Sequence, residues 1–412
     1  MPTAPNPTDQ FSRVFQPLFD ERNFVSVDKS WMSFFGIPEN GGVTNFLENT
    51  LDIQIPIIRS GDELPAQTIF RGSQTTNDSN INTEGLYTKL ARRIGLVEEP
   101  GFMDSSLNYE QTVTETDTNP KTVKERMQER AANIIKELSR RHIRSHNWFA
   151  RYAMLDGAQP TILGSSDANL KYDFLRNSGN TLTAGTGWNQ VGATPLTDVD
   201  TLCDAVEDNG NVVPDIAIFA SDVYAAFRAN ASVKDANDRN FDRTVAFMDV
   251  RENRYEAPNT AMHRRMVANG FTVRGFFITD KGRKLYVYTL EKTIVDNFTS
   301  PPTATKTPSM PLGVALFVWS GARFDRTFGP LDRDPIENWE RARYQDKFGF
   351  PMTKNFLPPE DVGGGVIDPR MFFAYIDWSQ STAKGTKIIT QSSAIYSTTH
   401  TDAIGRLNGL IT

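Results

Sequence analysis

The stretch that decides the fold runs from Asn119 to Gly157 and reads NPKTVKERMQERAANIIKELSRRHIRSHNWFARYAMLDG. Apolar residues recur along it at steps of three and four, which is the period of an amphipathic helix. Asn119 can cap this helix, Pro120 suits its first turn and Gly157 can end it. We therefore predict a helix over 120–156, about 55 Å long at a rise of 1.5 Å per residue.

The predicted helix is strongly basic. It carries nine Lys or Arg residues against four Asp or Glu, so nine minus four leaves five positive charges. A helix of this length could belong to a coiled coil, but it lacks the sustained leucine repeat that a coiled coil needs. A single long helix that supports a sheet is the better interpretation.

The chain before the helix alternates between strand-like and polar segments. Leu51–Ile57 has apolar residues at every second position, which predicts a strand, and Pro56 favours an edge position. A second extended piece, Gln67–Arg71, precedes the polar tract 72–85, and another polar extended segment covers 107–116. This layout predicts a long hairpin excursion from the body of the protein.

Residues 1–50 are rich in aromatic side chains and in Pro and Gly, and they show no helical period. Such aromatics need a surface that removes them from water. Two interpretations stay open at this point. The segment either packs on the core of its own chain or lies across a neighbouring copy.

The chain after the long helix predicts a mixed α/β region. Thr197–Asn209 has the pattern of a short amphipathic helix, and the continuous apolar character of Asp215–Ala220 predicts a buried strand. Asp222–Asn230 is predicted to be a second short helix, capped by Ser221 or Asp222.

Strand patterns then accumulate towards the C-terminus. Lys281-Gly282 has the character of a hairpin turn, and a turn of small residues is expected near 379–385. The predicted strands are Gly275–Thr279, Leu285–Thr289, Val314–Ser320, Met371–Trp378 and Thr386–Ile395.

Length and composition limit the class of protein. A chain of 412 residues predicts two or three lobes, and 39% hydrophobic with 23% charged residues is typical of a folded soluble protein. No apolar run reaches the roughly 20 residues that cross a bilayer, and the N-terminus lacks the pattern of a secretion signal.

Cys203 is the sole cysteine, so we expect no intrachain disulfide and a cytoplasmic site of folding. The net charge of −6 argues against a general nucleic-acid binder.

The candidates for chemistry are weak. His142 and His146 lie one helical turn apart, a spacing that can hold zinc, but Ile143-Arg144-Ser145 stands between them where a metalloprotease would have its glutamate. His263 and His400 are distant in the sequence. A capped or solvent-facing histidine pair is the better interpretation.

The remaining polar clusters also favour structural roles. Arginines are interleaved with the acidic residues at Asp332, Asp334, Glu337 and Glu340, which indicates surface ion pairs. Gly363–Gly365 lacks the Lys-Ser/Thr of a phosphate-binding loop and reads as a flexible joint. Cys203 is expected to be a buried structural thiol. We therefore assign no catalytic, cofactor-binding or metal-binding residue, and we predict that the protein is not an enzyme.

Three segments resemble the lambda-like tailed-phage major capsid proteins, which have the Hong Kong ninety-seven-like capsid fold. Arg140–Ala158 (RRHIRSHNWFARYAMLDGA) resembles the arginine-rich spine that closes on Leu-x-Gly. Trp188–Val233 resembles the family's Trp, Pro-x-x-Asp helix, apolar strand and x-Val-x-x-x-Phe helix. Lys384–Tyr396 (KGTKIITQSSAIY) resembles the closing strand that ends in a serine. Ser145-His146-Asn147 stands where a glutamate is common, and Ala394-Ile395 where a proline is usual.

The resemblance implies an α+β chain with the tailed-phage major capsid fold. Its parts would be an N-terminal arm (1–50), a peripheral-lobe strand with an extended loop (51–117), the spine helix and peripheral lobe (118–196), an axial mixed α/β lobe (197–335) and a return to the peripheral lobe with C-terminal strands (336–412).

The implied function is that of a major capsid protein that forms pentamers and hexamers of an icosahedral shell around double-stranded DNA. Scaffolding, decoration and portal proteins are implied partners, without sequence-specific DNA binding or a membrane. The alternatives are another phage ring subunit, from a tail or connector, and a hydrolase that uses the acidic residues of 332–340. Rings of one symmetry order would favour the connector, and an activity abolished by alanine at those carboxylates would favour the hydrolase.

Overall fold

The structure is a computed structural model, and the fold is α+β as the sequence predicts. It describes residues 27–46, 52–58, 87–93, 97–104, 123–160, 171–234, 247–248, 260–295, 306–329, 373–382 and 385–412. The predicted segments Gln67–Arg71, 72–85 and 107–116 lie outside the described residues. None of the helices in these ranges combines the length and apolarity that crossing a bilayer requires.

The elements are numbered in chain order. The α-helices are α1 (Val123–Asp156), α2 (Pro195–Gly210), α3 (Ser221–Ala229) and α4 (Ala261–Ala268). The strands are β1 (Thr44–Phe46), β2 (Asp52–Ile58), β3 (Tyr87–Arg93), β4 (Val97–Asp104), β5 (Ala158–Pro160), β6 (Lys171–Asp173), β7 (Thr181–Thr183), β8 (Ile216–Phe219), β9 (Phe247–Met248), β10 (Thr272–Ile278), β11 (Lys284–Thr289), β12 (Thr293–Val295), β13 (Lys306–Pro308), β14 (Ala315–Val318), β15 (Asp325–Phe328), β16 (Phe373–Thr382), β17 (Gly385–Ser392), β18 (Ala394–Ser397) and β19 (Ile404–Asn408).

Helix α1 confirms the long predicted helix, with 34 residues in one unbroken element. It ends where the sequence places the stop, because Gly157 adopts φ +65, a left-handed conformation that side chains disfavour. A Cβ at Gly157 would also lie 2.9 Å from Cβ of Arg176. Position 157 therefore requires glycine for two reasons, its left-handed backbone conformation and the close approach of Arg176.

A seven-stranded mixed sheet forms the largest layer, in the order β7-β19-β14-β8-β11-β10-β9. Its central strand β8 is parallel to β11 and antiparallel to β14, and all four β8 residues are buried. The continuous apolar run in this part of the sequence is thus explained by burial on both faces. The sheet joins residues from the predicted segments 197–335 and 336–412, because β19 pairs with β14.

The predicted hairpin turn at Lys281-Gly282 is confirmed. Strands β10 and β11 pair in an antiparallel manner on either side of it, and Gly282 has φ +80. By contrast, the predicted cap of α3 is wrong. The N-cap residue is Ala220, and no side chain caps the helix. Asp222 instead accepts hydrogen bonds from the backbone N–H of Val223 and of Gly313, so its carboxylate ties α3 to the loop before β14.

The predicted C-terminal strand Thr386–Ile395 is two strands. β17 pairs with β16 and β4, whereas β18 pairs with β15 in a separate sheet of order β1-β15-β18. The change of partner occurs at Ser393, whose carbonyl accepts from the N–H of Gly329 at 3.0 Å. The stretch 386–396 contains no Gly or Pro, so the sequence alone carried no sign of the break.

Strand β2 confirms the predicted strand at Leu51–Ile57, and it pairs with β3 in a two-stranded antiparallel sheet. No strand was predicted at β3 or β4. Charged residues interrupt the first (YTKLARR), and a Pro-Gly step interrupts the second (VEEPGFMD). Pairing of β2 with β3 brings together the two ends of the predicted excursion, and the excursion itself stays a prediction.

The described part of the N-terminal segment packs on its own chain. Trp31, Phe34 and Phe35 are fully buried, and Trp31 makes edge-on contact with Phe271 at 5.9 Å between ring centres. For residues 27–46 this confirms the first of the two interpretations. Residues 1–26 lie outside the described residues, and an arm that reaches a neighbouring copy stays a prediction for them.

Candidate functional site

The long helix is joined to the C-terminal strands through a buried polar contact. We name it the histidine seam and define it as His142, His146, Thr390, Ser392 and Tyr396. His142 Nε2 lies 2.9 Å from Thr390 Oγ1, and its Nδ1 lies 2.8 Å from Ser392 Oγ. His146 Nδ1 lies 2.9 Å from the hydroxyl of Tyr396. The seam therefore fixes α1 against both β17 and β18.

Burial determines the charge state of the seam. It lowers the pKa of His142 to about 4, against a smaller opposing effect of its hydrogen bond to the Thr390 backbone. Burial, and secondarily the charges of His142 and Arg326, lowers the pKa of His146 to about 3. Both imidazoles are thus neutral at pH 7. The expectation of a solvent-facing pair is wrong, because these two side chains complete a helix–sheet interface.

Gln159 adds a second polar clamp beside the seam. Its amide nitrogen donates to the carbonyl of Ala394 at 3.0 Å, and its amide oxygen accepts from the N–H of Tyr396 at 2.8 Å. The side chain thus imitates a neighbouring strand for two residues of β18. A buried amide with both groups satisfied fixes this register.

Two arginines cover the C-terminal end of α1. Arg176 donates to the carbonyls of Ala153, Met154 and Leu155 at 3.2, 2.6 and 2.9 Å. Arg406 donates to the Leu155 carbonyl and pairs with Asp156. These carbonyls have no partner within the helix, and positive charge is favourable at this end of the helix dipole. Burial lowers the pKa of Arg176 to about 10, which leaves it charged at pH 7.

The other residues considered for chemistry are buried or hydrogen-bonded within the fold where the structure describes them. Cys203 is buried, as predicted, and burial raises its pKa to about 12. His263 contacts the hydroxyl of Tyr288, and His400 Nδ1 accepts from the N–H of Arg323 at 2.9 Å. The acidic residues of 332–340 and Gly363–Gly365 lie outside the described residues. Within the described ranges, no group of three His, Cys, Asp or Glu residues could hold a metal ion.

The surface of the described ranges contains a few large apolar side chains. Val191 is fully exposed, and Leu312 is 59% exposed. The loops that carry them meet at Leu410, which accepts from the N–H of Trp188 and donates to the carbonyl of Gly313. Such side chains can contribute to contacts between molecules.

The sequence matches the model of the family described as phage major capsid protein E over residues 107–407, which is 301 of 412 residues. The chain belongs to the phage major capsid protein E family. The match includes all of α1 and both strands of the histidine seam. The predicted resemblance to tailed-phage capsid proteins is therefore confirmed, and the protein forms the capsid shell of a virion.

One solved structure shares the fold, and two others are less similar. A protein described as a prophage capsid protein of E. coli CFT073 has a TM-score of 0.56 at 12% identity, with 97% of this chain and 98% of that chain covered. A phage-related protein of Bordetella bronchiseptica RB50 has a TM-score of 0.41 at 8% identity, with 98% and 97% covered. The capsid of Ralstonia phage GP4 gives 0.43 at 8%, with 90% and 87% covered. No curated protein sequence matches the chain.

For a protein of the phage major capsid protein E family, the functional sites are the surfaces and internal contacts that shape the subunit. The histidine seam, Gln159 and Arg406 hold the long helix in one place relative to the C-terminal strands. Arg176 joins the end of the same helix to the loop after β6. The sequence predicted the helix and the strands. It did not predict the contacts that position them, because these contacts join residues that lie 21 to 251 positions apart.

Proposed function

We propose that this capsid protein assembles into pentamers and hexamers that close into an icosahedral shell around double-stranded DNA. The observation that carries the proposal is the family match over 107–407, which spans the long helix and the seam that fixes it. Rings of five and six from one sequence need a subunit with a rigid frame and adjustable contacts. The long helix α1, held in place by the histidine seam, supplies the rigid frame.

The five parts expected from the sequence give the proposed division of labour. The axial lobe (197–335) would meet its neighbours around the centre of each ring, and the peripheral segments (51–117, 118–196 and 336–412) would meet neighbours between rings. The arm (1–50) and the loop within 51–117 would reach over adjacent copies. Contacts of this kind are individually weak and become strong through the number of copies in a closed shell.

The protein acts as a structural component and not as an enzyme in this proposal. Assembly takes place in the host cytoplasm, with scaffolding, decoration and portal proteins as further partners. The DNA is enclosed without recognition of its sequence. The role of the chain is mechanical, and its chemistry is that of packing and hydrogen bonding.

Electron microscopy of the expressed, purified protein tests the proposal. The expected result is closed particles, together with rings of both five and six subunits among incomplete products. Rings of a single symmetry order would overturn it in favour of a connector or tail subunit. A protein that stays monomeric at high concentration, alone and with its scaffolding partner, would overturn it entirely.

A further inference from the structure

Two turns on the surface share one design. Val191 precedes Gly192 in the first turn, and Leu312 precedes Gly313 in the second. The two glycines have positive φ angles of +84 and +67, a conformation that residues with a side chain disfavour. In both turns the residue before the glycine is apolar and exposed. We name Val191-Gly192 and Leu312-Gly313 the paired turns.

The fold of the subunit does not require these two apolar side chains. They are the most exposed large apolar side chains of the described ranges, with Val191 fully exposed and Leu312 59% exposed. Surface turns favour Pro, Asn, Asp, Ser and Gly, whereas a β-branched valine favours strands. A polar residue at either position would suit the turn at least as well. The apolar side chains therefore indicate a contact outside the subunit.

Hydrogen bonds hold the paired turns in place beside each other. Leu410 accepts from the N–H of Trp188 at 2.7 Å and donates to the carbonyl of Gly313 at 3.1 Å, so it joins the two loops. The N–H of Gly313 donates to Asp222 at 2.9 Å. The carbonyl of Trp188 accepts from the side chain of Asn230 at 3.1 Å. A surface that is already ordered loses little conformational entropy when it binds a partner.

The paired turns and Leu410 lie in parts of the sequence without charged side chains. The stretches 177–197, 307–322 and 407–412 contain no Asp, Glu, Lys, Arg or His, although charged residues make up 23% of the chain. Depletion of charge around apolar side chains is the composition of an interface core. The partner surface must also be uncharged, because a charge placed against the paired turns would lose water without gaining a counter-charge.

A second copy of the chain supplies such a surface, because it carries the same paired turns. The other four exposed large apolar side chains of the described ranges are 37–44% exposed. Each of them lies within two positions of a charged residue or is hydrogen-bonded to one: Val43, Leu175, Val213 and Val267. Around a rotation axis the same surface of every copy faces the centre, where a charged side chain would be repeated at close range. An uncharged apolar surface avoids that repulsion.

We propose that the paired turns of neighbouring copies meet one another around the centre of each ring. The inference rests on the proposed function, because it requires rings of five and six copies. It extends that function by naming contact residues outside the expected axial lobe (197–335), at Val191 and Leu410. Burial of the apolar side chains stabilises the contact, and the absence of charge lets either five or six copies share it.

Opposite charges at Val191 test the proposal. Val191→Asp and Val191→Lys each place like charges around the ring centre, so each variant alone should need about tenfold or more protein to form rings. An equimolar mixture of the two variants should form rings again. Rings of six should recover more completely than rings of five, because alternating signs fit only an even number of positions. Light scattering measures the concentration, and electron microscopy counts both kinds of ring.

Val267 on α4 is the matched control, since it is a second valine that is 44% exposed. A mixture of Val267→Asp and Val267→Lys should behave as the mean of the two variants. Equal recovery at Val267 would assign the effect to the net charge of the ring and overturn the proposal. Ring loss at Val191 with only one sign of charge, or with neither, would also overturn it. So would a Val191 mixture that fails to recover, because another surface would then face the turn.

A single introduced cysteine gives a second readout that does not depend on charge. Cys203 is the sole cysteine of the chain and is buried, so Val191→Cys carries one accessible thiol. A short bis-maleimide cross-linker should join Val191→Cys subunits into dimers within assembled particles and leave unassembled subunits as monomers. Val267→Cys should stay monomeric in both states. Denaturing gel electrophoresis measures the cross-linked fraction.

The two levels of the proposal fail in different ways. Particles of Val191→Cys without cross-linked dimers would overturn the contact between paired turns and leave the proposed function intact. A parent protein that forms no rings of five and six would overturn both.

Discussion

The guanidinium of Arg176 lies 2.6 Å from the carbonyl oxygen of Met154, in the last turn of the long helix. It donates at the same time to the carbonyls of Ala153 and Leu155, so one side chain supplies partners for three groups that the helix leaves open. Gly157 makes the approach possible, since a side chain there would collide with Arg176. The helix end is therefore fixed by a residue 22 positions beyond Met154.

Replacing Arg176 should destabilise the subunit. Arg176→Met leaves the carbonyls of Ala153 and Met154 without this donor, while the Leu155 carbonyl keeps Arg406. We expect a loss of about 2–3 kcal/mol in the free energy of unfolding. Arg176→Lys keeps the charge but lacks the planar fork, so it should lose an intermediate amount. Guanidinium chloride unfolding of unassembled protein measures both. Arg264→Met, which changes an arginine that is 60% exposed, is the control and should change stability by less than about 0.5 kcal/mol.

Local patterns in the sequence were sufficient for the elements that form from their own neighbourhood. The helix from Val123 to Asp156, the buried strand β8 and the turn at Gly282 each follow from periodicity or turn chemistry within a few residues. The contacts that position these elements were not predictable in this way. Arg176 and Gln159 carry no local sign that their partners are helix-end carbonyls and a distant strand.

Changes of strand partner show the same limit. β17 and β18 are separated by one residue, with no Gly or Pro between them, yet they belong to different sheets. The charges of β3 and the Pro-Gly step of β4 oppose a strand locally, and pairing with β2 and β17 overrides that preference. Whether such a segment forms a strand depends on the strand it pairs with, and the pairing partner cannot be predicted from local sequence.

Acid should weaken the subunit through the histidine seam. Both histidines have a lowered pKa in the folded protein. Below about pH 6.5 they therefore bind protons in the unfolded chain but stay neutral in the folded protein. Stability is complete above that pH and falls as the pH drops towards 4. Each histidine should contribute a loss on the order of 2 kcal/mol between pH 7 and pH 5.

Unfolding midpoints of His142→Gln and His146→Gln at pH 7 and pH 5 separate this effect from the titration of other groups. Each variant should be less stable at pH 7, and its stability should depend less on pH than that of the parent. Ser145→Ala lies on the same helix and should keep the parent's dependence. If both histidine variants retain the full pH dependence, the seam is not its source.

Trp31 should be among the most sensitive positions of the N-terminal segment. It is fully buried, and its indole N–H donates to Ser309 Oγ at 2.9 Å. Trp31→Ala should cost about 3–5 kcal/mol through the cavity it leaves. Trp31→Phe retains the apolar contacts and loses the hydrogen bond, so about 1–2 kcal/mol is expected. A loss below 1 kcal/mol in the alanine variant, measured by chemical unfolding, would show that this segment does not pack on its own core.

The exposed apolar pair Val191 and Leu312 should affect assembly and leave folding unchanged. Neither side chain is buried in the subunit, so Val191→Ser/Leu312→Ser should alter the unfolding free energy by less than about 0.5 kcal/mol. Burying such side chains against a neighbour contributes about 1.5–3 kcal/mol each, so the concentration needed for particle formation should rise about tenfold or more. Light scattering across a protein dilution series measures that concentration. Val191→Ile keeps the apolar character and should assemble as the parent does. An unchanged assembly concentration in the double serine variant would mean that this pair faces water in the finished shell.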